Sequence, residues 1–388
     1  MQYSQRAQSV APFYAMAFGE QAASLEAQGR SVIRFNIGEP DFGAPPAVQA
    51  AMQQAIATND LPYTGALGTP QLRAAIADFY RTQHGLTISP ARVIVTAGAS
   101  AALLLVCAAL VDNGDEVMMG DPSYPCNRQF VTTFGGDINL VPTNADSHFQ
   151  LTTSLIKQHW QPHTKALMIA TPSNPTGTAV SLSELAAMCE FAKAQGAWRI
   201  IDEIYLNLSD GEQGAPQTAL AHDDDAIIIN SFSKYFGMTG WRLGWMVVPQ
   251  SMVEVIERLA QNLYICPSTP AQIAALACFT PDSLAICEAR KASLLKRRKR
   301  VLDGLYDIGL KVPVAPNGAF YVYIDISDTG LTAMTFCQRL LDEQGVALTP
   351  GNDFGVTDAD KYVRLSYATA ESALTEGLSR IGMFVNTL

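Results

Sequence analysis

A lysine, an arginine and two serines stand close together in the stretch Asn230 to Trp245, Asn-Ser-Phe-Ser-Lys-Tyr-Phe-Gly-Met-Thr-Gly-Trp-Arg-Leu-Gly-Trp. Lys234 can hold a carbonyl compound as a Schiff base, while Ser231, Ser233 and Arg242 offer donors to a phosphate. An isolated lysine on a turn is ordinarily a solvated surface group. Here the apolar run Ala226 to Ile229 precedes the segment and a second, Trp245 to Val248, follows it, which places Lys234 in a buried loop just past a strand end. The glycines of the loop imply close backbone approach. A second charge lies upstream, in Arg199-Ile200-Ile201-Asp202-Glu203-Ile204-Tyr205. Apolar residues lead into Asp202, so its carboxylate ends a buried strand and needs a cation or a donor. A helix cap or a core salt bridge would satisfy it equally well, and Glu203 is expected to face elsewhere.

These residues are positioned by strand-like and helix-like runs that alternate from Arg92 onward, the pattern of an open, mostly parallel sheet wrapped by helices. Val93 to Thr96 reads as a strand and Ala101 to Val111 as a helix, joined by Ala97-Gly98-Ala99-Ser100. Small residues at such a turn let backbone N–H groups approach an anion at a helix N-terminus, although many α/β proteins have such turns with nothing bound. The strand Glu116 to Met119 leads to Asp121-Pro122-Ser123-Tyr124-Pro125, where two prolines fix Tyr124 at the strand exit. The strand Ala166 to Ala170 leads to Thr171-Pro172-Ser173-Asn174-Pro175-Thr176-Gly177, with Asn174 pinned between prolines. Asn174, Asp202 and Lys234 therefore share the C-terminal strand edge, where ligands gather in open α/β sheets. No G-x-G-x-x-G or Walker pattern is present, which argues against a nucleotide.

Outside this region, an N-terminal arm and a helix near Ala15 to Gln28 precede the turn Phe35-Asn36-Ile37-Gly38-Glu39-Pro40-Asp41-Phe42. A helix over Pro45 to Thr58 and another from Pro70 flank the loop Tyr63-Thr64-Gly65-Ala66-Leu67-Gly68. A helix after Ser251 leads to the loop Tyr264 to Pro270, and Ala271 to Leu310 is largely helical. Its basic cluster, Arg290 to Arg300, reads as a solvated helix face. Val314 to Ile326, broken at Pro316-Asn317-Gly318, reads as antiparallel strands of a smaller domain. Helices near Ala333 to Gln344 and Glu371 to Val385 flank a strand, Lys361 to Tyr367, whose Arg364 taken alone is an edge-strand arginine.

With 388 residues, 48% of them hydrophobic, the chain can bury a large core, expected as two domains. A net charge of −10 argues against a nucleic-acid surface. Seven cysteines without a C-x-x-C pair read as scattered reduced thiols of a cytoplasmic protein. No apolar run is long enough to span a bilayer, and no signal segment opens the chain. His159 and His163 have i,i+4 spacing, but Pro162 disfavours the helix a metal pair needs, and no metal site is read.

Ser-x-Ser-Lys followed by Gly-Trp-Arg-Leu-Gly resembles the lysine signature of class I/II aminotransferases, the fold-type I pyridoxal-phosphate (PLP) enzymes. Matching motifs run in order from Gly38 to Arg364. The resemblance implies a large PLP-binding domain (residues 46–285) with a mostly parallel sheet of the seven-stranded type flanked by helices. A smaller α/β domain (286–388) follows, and residues 1–45 form an N-terminal arm and part of that small domain. It also implies a homodimer acting on an amino acid and a 2-oxo acid. Lys234 would carry the cofactor as a Schiff base and shuttle the substrate proton. Asp202 would keep the pyridine nitrogen protonated, Tyr205 and Asn174 would hold the ring oxygen, and Tyr124 would stack on the ring. Ala99, Ser100, Ser231, Ser233 and Arg242 would hold the phosphate, joined by Tyr63 across the dimer. Gly38 and Arg364 would orient the substrate carboxylate, a bidentate task suited to guanidinium. A PLP-dependent β-lyase is the alternative, because this fold hosts several reactions with the same residues. A PLP-sensing transcription regulator would need a DNA-reading domain ahead of Gly38, for which the arm is too short.

Overall fold

The computed structural model describes residues 2–58, 60–210 and 217–388. A short strand, β1 (Ile33–Arg34), precedes the seven that build the central sheet: β2 (Val93–Thr96), β3 (Glu116–Asp121), β4 (Asp137–Pro142), β5 (Thr164–Ala170), β6 (Trp198–Asp202), β7 (Ile227–Ser231) and β8 (Gly244–Val247). The order is β2-β8-β7-β6-β5-β3-β4. Strand β8 is antiparallel to both neighbours, and the remaining adjacent pairs are parallel.

The apolar runs account for this sheet. Successive strand side chains point to opposite faces, so a strand that is apolar at every position needs cover on both. Ile200, Ile227, Ile229 and Met168 enter one core cluster, under the helix Ala99–Leu110. Ile201, Ile228, Leu167 and Ile169 enter the other, with Leu185 and Met188 of the helix Leu182–Ala194. The helix expected from Ala101 begins two residues earlier, so Ala99 and Ser100 supply its first, intrahelically unpaired N–H groups. Other expected helices occur as Tyr14–Ala27, Pro46–Thr58, Pro70–His84, Val253–Leu263, Ala333–Gln344 and Glu371–Val385.

The C-terminal part adds β9 (Tyr321–Asp325), β10 (Val346–Ala347), β11 (Thr349–Pro350) and β12 (Tyr362–Ser366). Strand β10 pairs with β1, and an antiparallel sheet runs β11-β12-β9. Of the antiparallel strands expected over Val314 to Ile326, only Tyr321–Asp325 forms, and it pairs antiparallel with β12. Pro313 and Pro316 have no N–H for a ladder. The amides of Asn317 and Gly318 donate instead to the Gly177 carbonyl. Arg364, which taken alone would read as an edge-strand arginine, lies on the middle strand opposite Tyr323.

The basic cluster also departs from expectation. On the helix Pro281–Ile308, Arg290 donates to the Gly43 carbonyl, Arg297 pairs with Asp41 at 2.8 Å and Arg298 with Asp210 at 2.7 Å. Arg290 and Arg297 tie the helix to the segment after Gly38 and Arg298 ties it to Asp210, while Lys296, Lys299 and Arg300 are exposed as expected. His159 ends its helix and Trp160 is extended, so His159 and His163 do not share a helix; His163 lies 3.5 Å from Glu116. Among the described residues, no single helix is long and apolar enough to cross a membrane.

Candidate active site

A cavity of about 660 Å³ opens at the C-terminal ends of β5, β6 and β7, roofed by the β11-β12-β9 sheet and the start of the Tyr14–Ala27 helix. Twelve of the thirteen expected site residues line it, including Gly38, Ala99, Ser100, Tyr124 and Asn174. Lys234 follows the end of β7 by three residues, and its amine donates to the Gly38 carbonyl at 2.6 Å. Burial lowers its pKa from 10.5 to about 8; Glu39 opposes the shift, while Arg364 and Arg242 add to it.

Asp202 is the last residue of β6 and 4% exposed. Its carboxylate accepts from the Ile204 N–H at 3.1 Å and has no salt-bridge partner among the described residues. Burial pushes it up to about 6, against the pull of that N–H and of Lys234. The neighbouring Glu203 does face elsewhere, accepting from the Ala219 N–H at 2.7 Å. Tyr205 is buried, with its hydroxyl 2.7 Å from that of Tyr321.

An anion cradle occupies one end. Gly98 takes φ +89°, and a Cβ there would come 2.7 Å from an Arg242 nitrogen. A Cβ on Gly244 would lie 2.9 Å from the Ala99 nitrogen, so these two glycines bring the helix N-terminus, the strand and Arg242 together. Ser231 and Ser233 line the same end, with the Ser231 hydroxyl accepting from the Ser233 N–H at 3.0 Å. A twelve-residue helix N-terminus beside a guanidinium is well suited to a phosphate.

Arg364 occupies the other end, 2% exposed. It donates to Asn174 Oδ1 at 2.8 Å, to the Asn36 carbonyl at 2.6 Å and to Thr349 Oγ1 at 3.2 Å. Its guanidinium lies over the rings of Tyr321 and Phe354, at 4.6 and 4.8 Å, and no carboxylate pairs with it among the described residues. Since Asn174 Oδ1 is engaged by Arg364, its amide N–H groups are the donors left for a ligand. Tyr124 lines the wall with Phe13 packed edge-on, ring centroids 6.2 Å apart.

Tyr63 is the exception. It is 80% exposed and not part of the cavity wall. Its loop is held by Thr269, which donates to the Pro62 carbonyl, and by Gln272, which donates to Thr64. Sequence reasoning passed over Tyr321, Asn36, Thr349 and Phe13. Asn36 stands two residues before Gly38 and could have been found as its neighbour. Tyr321 and Thr349 carry no local signal, because only strand pairing brings them beside Arg364.

A family model described as aminotransferase class I and II matches residues 30–381. This chain belongs to that family. The aminotransferase is 39% identical over 378 residues to valine–pyruvate aminotransferase of Mycobacterium tuberculosis, covering 97% of each chain. It is 35% identical over 381 residues to aspartate/prephenate aminotransferase of Thermus thermophilus, again over 97% of each. A solved aminotransferase from Mycobacterium tuberculosis superposes with a TM-score of 0.96 at 39% identity, covering 100% of both chains. The enzyme thus moves an amino group between an amino acid and a 2-oxo acid, and its family generally depends on PLP.

Proposed function

We propose that this aminotransferase works with PLP held by Lys234 and prefers neutral L-amino acids as donors, with pyruvate as a fitting acceptor. One observation carries the reading: two buried, oppositely charged groups without ionic partners among the described residues, Asp202 and Arg364, line the cavity that contains the Lys234 amine. A buried charge is costly unless paired. Asp202 suits the protonated pyridine nitrogen of the cofactor and Arg364 the substrate α-carboxylate, while the cradle at Gly98 and Arg242 suits the phosphate. When bound, PLP supplies an aldehyde that condenses with amines and a ring that accepts the electron pair left by the Cα proton.

The chain's own groups do the rest. Lys234, with its pKa lowered to about 8, has enough neutral amine near neutral pH to take the Cα proton and return it. Asp202 holds a proton on the ring nitrogen by its charge. Tyr205 and the Asn174 amide orient the ring oxygen, and Tyr124 covers the ring face. Ala99, Ser100, Ser231, Ser233 and Arg242 fix the phosphate. Arg364 fixes the α-carboxylate, and Gly38 leaves room for it beside the Tyr321 hydroxyl, which a Cβ would meet at 2.5 Å.

The preference for neutral side chains follows from the mouth. Phe13, Met16, Ile37 and Leu103 contribute apolar wall, and Ser100 is neutral. Arg34, which also lines the cavity, is closed onto Glu26 by two hydrogen bonds. With Arg242 and Arg364 assigned to the phosphate and the α-carboxylate, a second substrate carboxylate would therefore meet no further unpaired cation among the described residues lining the cavity. The name of the valine–pyruvate relative points the same way. Steady-state kcat/KM for valine, alanine, phenylalanine and aspartate with pyruvate and with 2-oxoglutarate tests it. Aspartate exceeding the neutral donors by about tenfold, 1.4 kcal/mol in transition-state binding, would reject it.

We further propose a homodimer in which the partner subunit's Tyr63 reaches the phosphate. The exposed apolar Leu61, Leu263 and Ile265 around that loop support a covered surface. The division into an arm at 1–45, a large domain at 46–285 and a small domain at 286–388 accords with the seven-stranded sheet lying within the second part and the β1-β10 and β11-β12-β9 sheets being built from the first and third. The second boundary falls inside the helix Pro281–Ile308. Seven free cysteines suit a cytoplasmic location.

A further inference from the structure

Tyr321 opens β9 and lines the cavity, with its hydroxyl against Tyr205 and its ring against Arg364. It is fully buried, and its 2.7 Å contact with Tyr205 is the hydrogen bond its hydroxyl makes. The two rings meet edge to face, centroids 5.6 Å apart at 84°, with Phe320 packed on Tyr205 from a third direction. Arg364 lies against the Tyr321 ring at 4.6 Å. The position is over-determined from both sides: Gly38 leaves the hydroxyl its space, and the 316–318 turn is plugged into the 177–179 loop through Asn317.

We propose that Tyr321 is a positioning residue whose hydroxyl donates to that of Tyr205 and so aims the single Tyr205 proton at the cofactor ring oxygen. This rests on the reading above, in which PLP sits on Lys234 with Tyr205 at that oxygen. A phenol has one proton to donate. If Tyr205 gives its proton to the ring oxygen, the 2.7 Å contact requires Tyr321 to be the donor. Both buried hydroxyls are then satisfied, and donation from Tyr321 polarises the Tyr205 O–H into a stronger donor. A better donor at the ring oxygen favours its anionic form, which makes the Lys234 Schiff-base nitrogen easier to deprotonate. The geometry thus gives Tyr321 a part in setting the pH at which the yellow chromophore titrates, without touching the reacting atoms.

The test is an absorbance titration of the holoenzyme in wild type, Tyr321→Phe, Tyr205→Phe and the double variant. Tyr321→Phe is expected to raise the apparent pKa of the chromophore by about half to one unit, the scale of one neutral hydrogen bond. Tyr205→Phe should raise it further, and the double variant should match Tyr205→Phe alone. An unchanged titration in Tyr321→Phe beside a shifted Tyr205→Phe overturns the proposal and leaves the reading of the site intact. A Tyr205→Phe titration that does not move overturns both. A Tyr321→Phe shift that persists in full on the Tyr205→Phe background also overturns the proposal, because the hydroxyl then acts independently of Tyr205. Fluorotyrosine incorporated at Tyr321 keeps the shape and strengthens the donor, so it should move the titration down. A shift upward or none there refutes the direction of the hydrogen bond, whether or not Tyr321→Phe folds.

Discussion

Arg364→Lys keeps a positive charge at the carboxylate end of the cavity while removing the fork. In the wild type the guanidinium spans Asn174, the Asn36 carbonyl and Thr349, lies against two aromatic rings, and is paired with no carboxylate among the described residues. A lysine ammonium is a compact point charge that cannot hold these neighbours and still present two parallel N–H groups to a substrate carboxylate. Losing one charge-assisted hydrogen bond in the transition state costs about 1.5–3 kcal/mol, or roughly 10- to 150-fold in kcat/KM. Burial also lowers the pKa of the new lysine, so the deficit should deepen as pH rises and the neutral fraction grows. The assay is kcat/KM for a neutral amino acid and for its 2-oxo acid, beside single-turnover reaction with an alkylamine that lacks the carboxylate. Both carboxylate substrates should lose 10-fold or more, and the alkylamine less than about threefold. An alkylamine rate that falls as far as the amino acid rate refutes the assignment, because the damage then lies with the cofactor or the fold.

Borohydride reduction of the wild type should fix the pyridoxyl group on Lys234; Lys234→Ala should still bind PLP, take no label and lose transamination by orders of magnitude. In cofactor-free protein the rate of PLP capture should rise with pH and be half-maximal near 8, because burial lowers the Lys234 pKa and only its neutral amine attacks; stopped-flow absorbance measures it, and a midpoint near 10.5 rejects it. Asp202, raised to about 6 in the cofactor-free protein, takes up a proton as pH falls through that value and loses the charge that attracts the pyridinium. PLP affinity should therefore weaken below about pH 6 in the wild type more steeply than in Asp202→Asn, and parallel profiles would sink the role. Hybrid dimers of Tyr63→Phe and Lys234→Ala subunits should regain activity through one intact site per dimer; no recovery on mixing impaired parents would show that sites are not shared.

What the sequence by itself determined is the part of the site built from neighbours in the chain. Ser231, Ser233, Lys234 and Arg242 lie between two apolar runs, and Asp202 ends a third, so their placement at strand ends followed from local pattern. The small residues at 97–100 likewise marked a helix N-terminus, although its start at Ala99 emerged only in three dimensions. Long-range pairing decided the rest. Tyr321 meets Tyr205 across 116 residues, and Arg364 becomes a buried, unpaired cation because β12 is the middle strand of its sheet. The antiparallel strands read over Val314 to Ile326 reduced to β9 for the same reason: the turn at 316–318 donates to the Gly177 carbonyl, and β9 pairs with the distant β12. Arg297 and Arg298 looked like a solvated face until Asp41 and Asp210 were brought against them. Local sequence encodes periodicity, turns and caps through interactions within a few residues. Which distant polar group satisfies a buried charge depends on strand order and packing, and only the folded chain settles that.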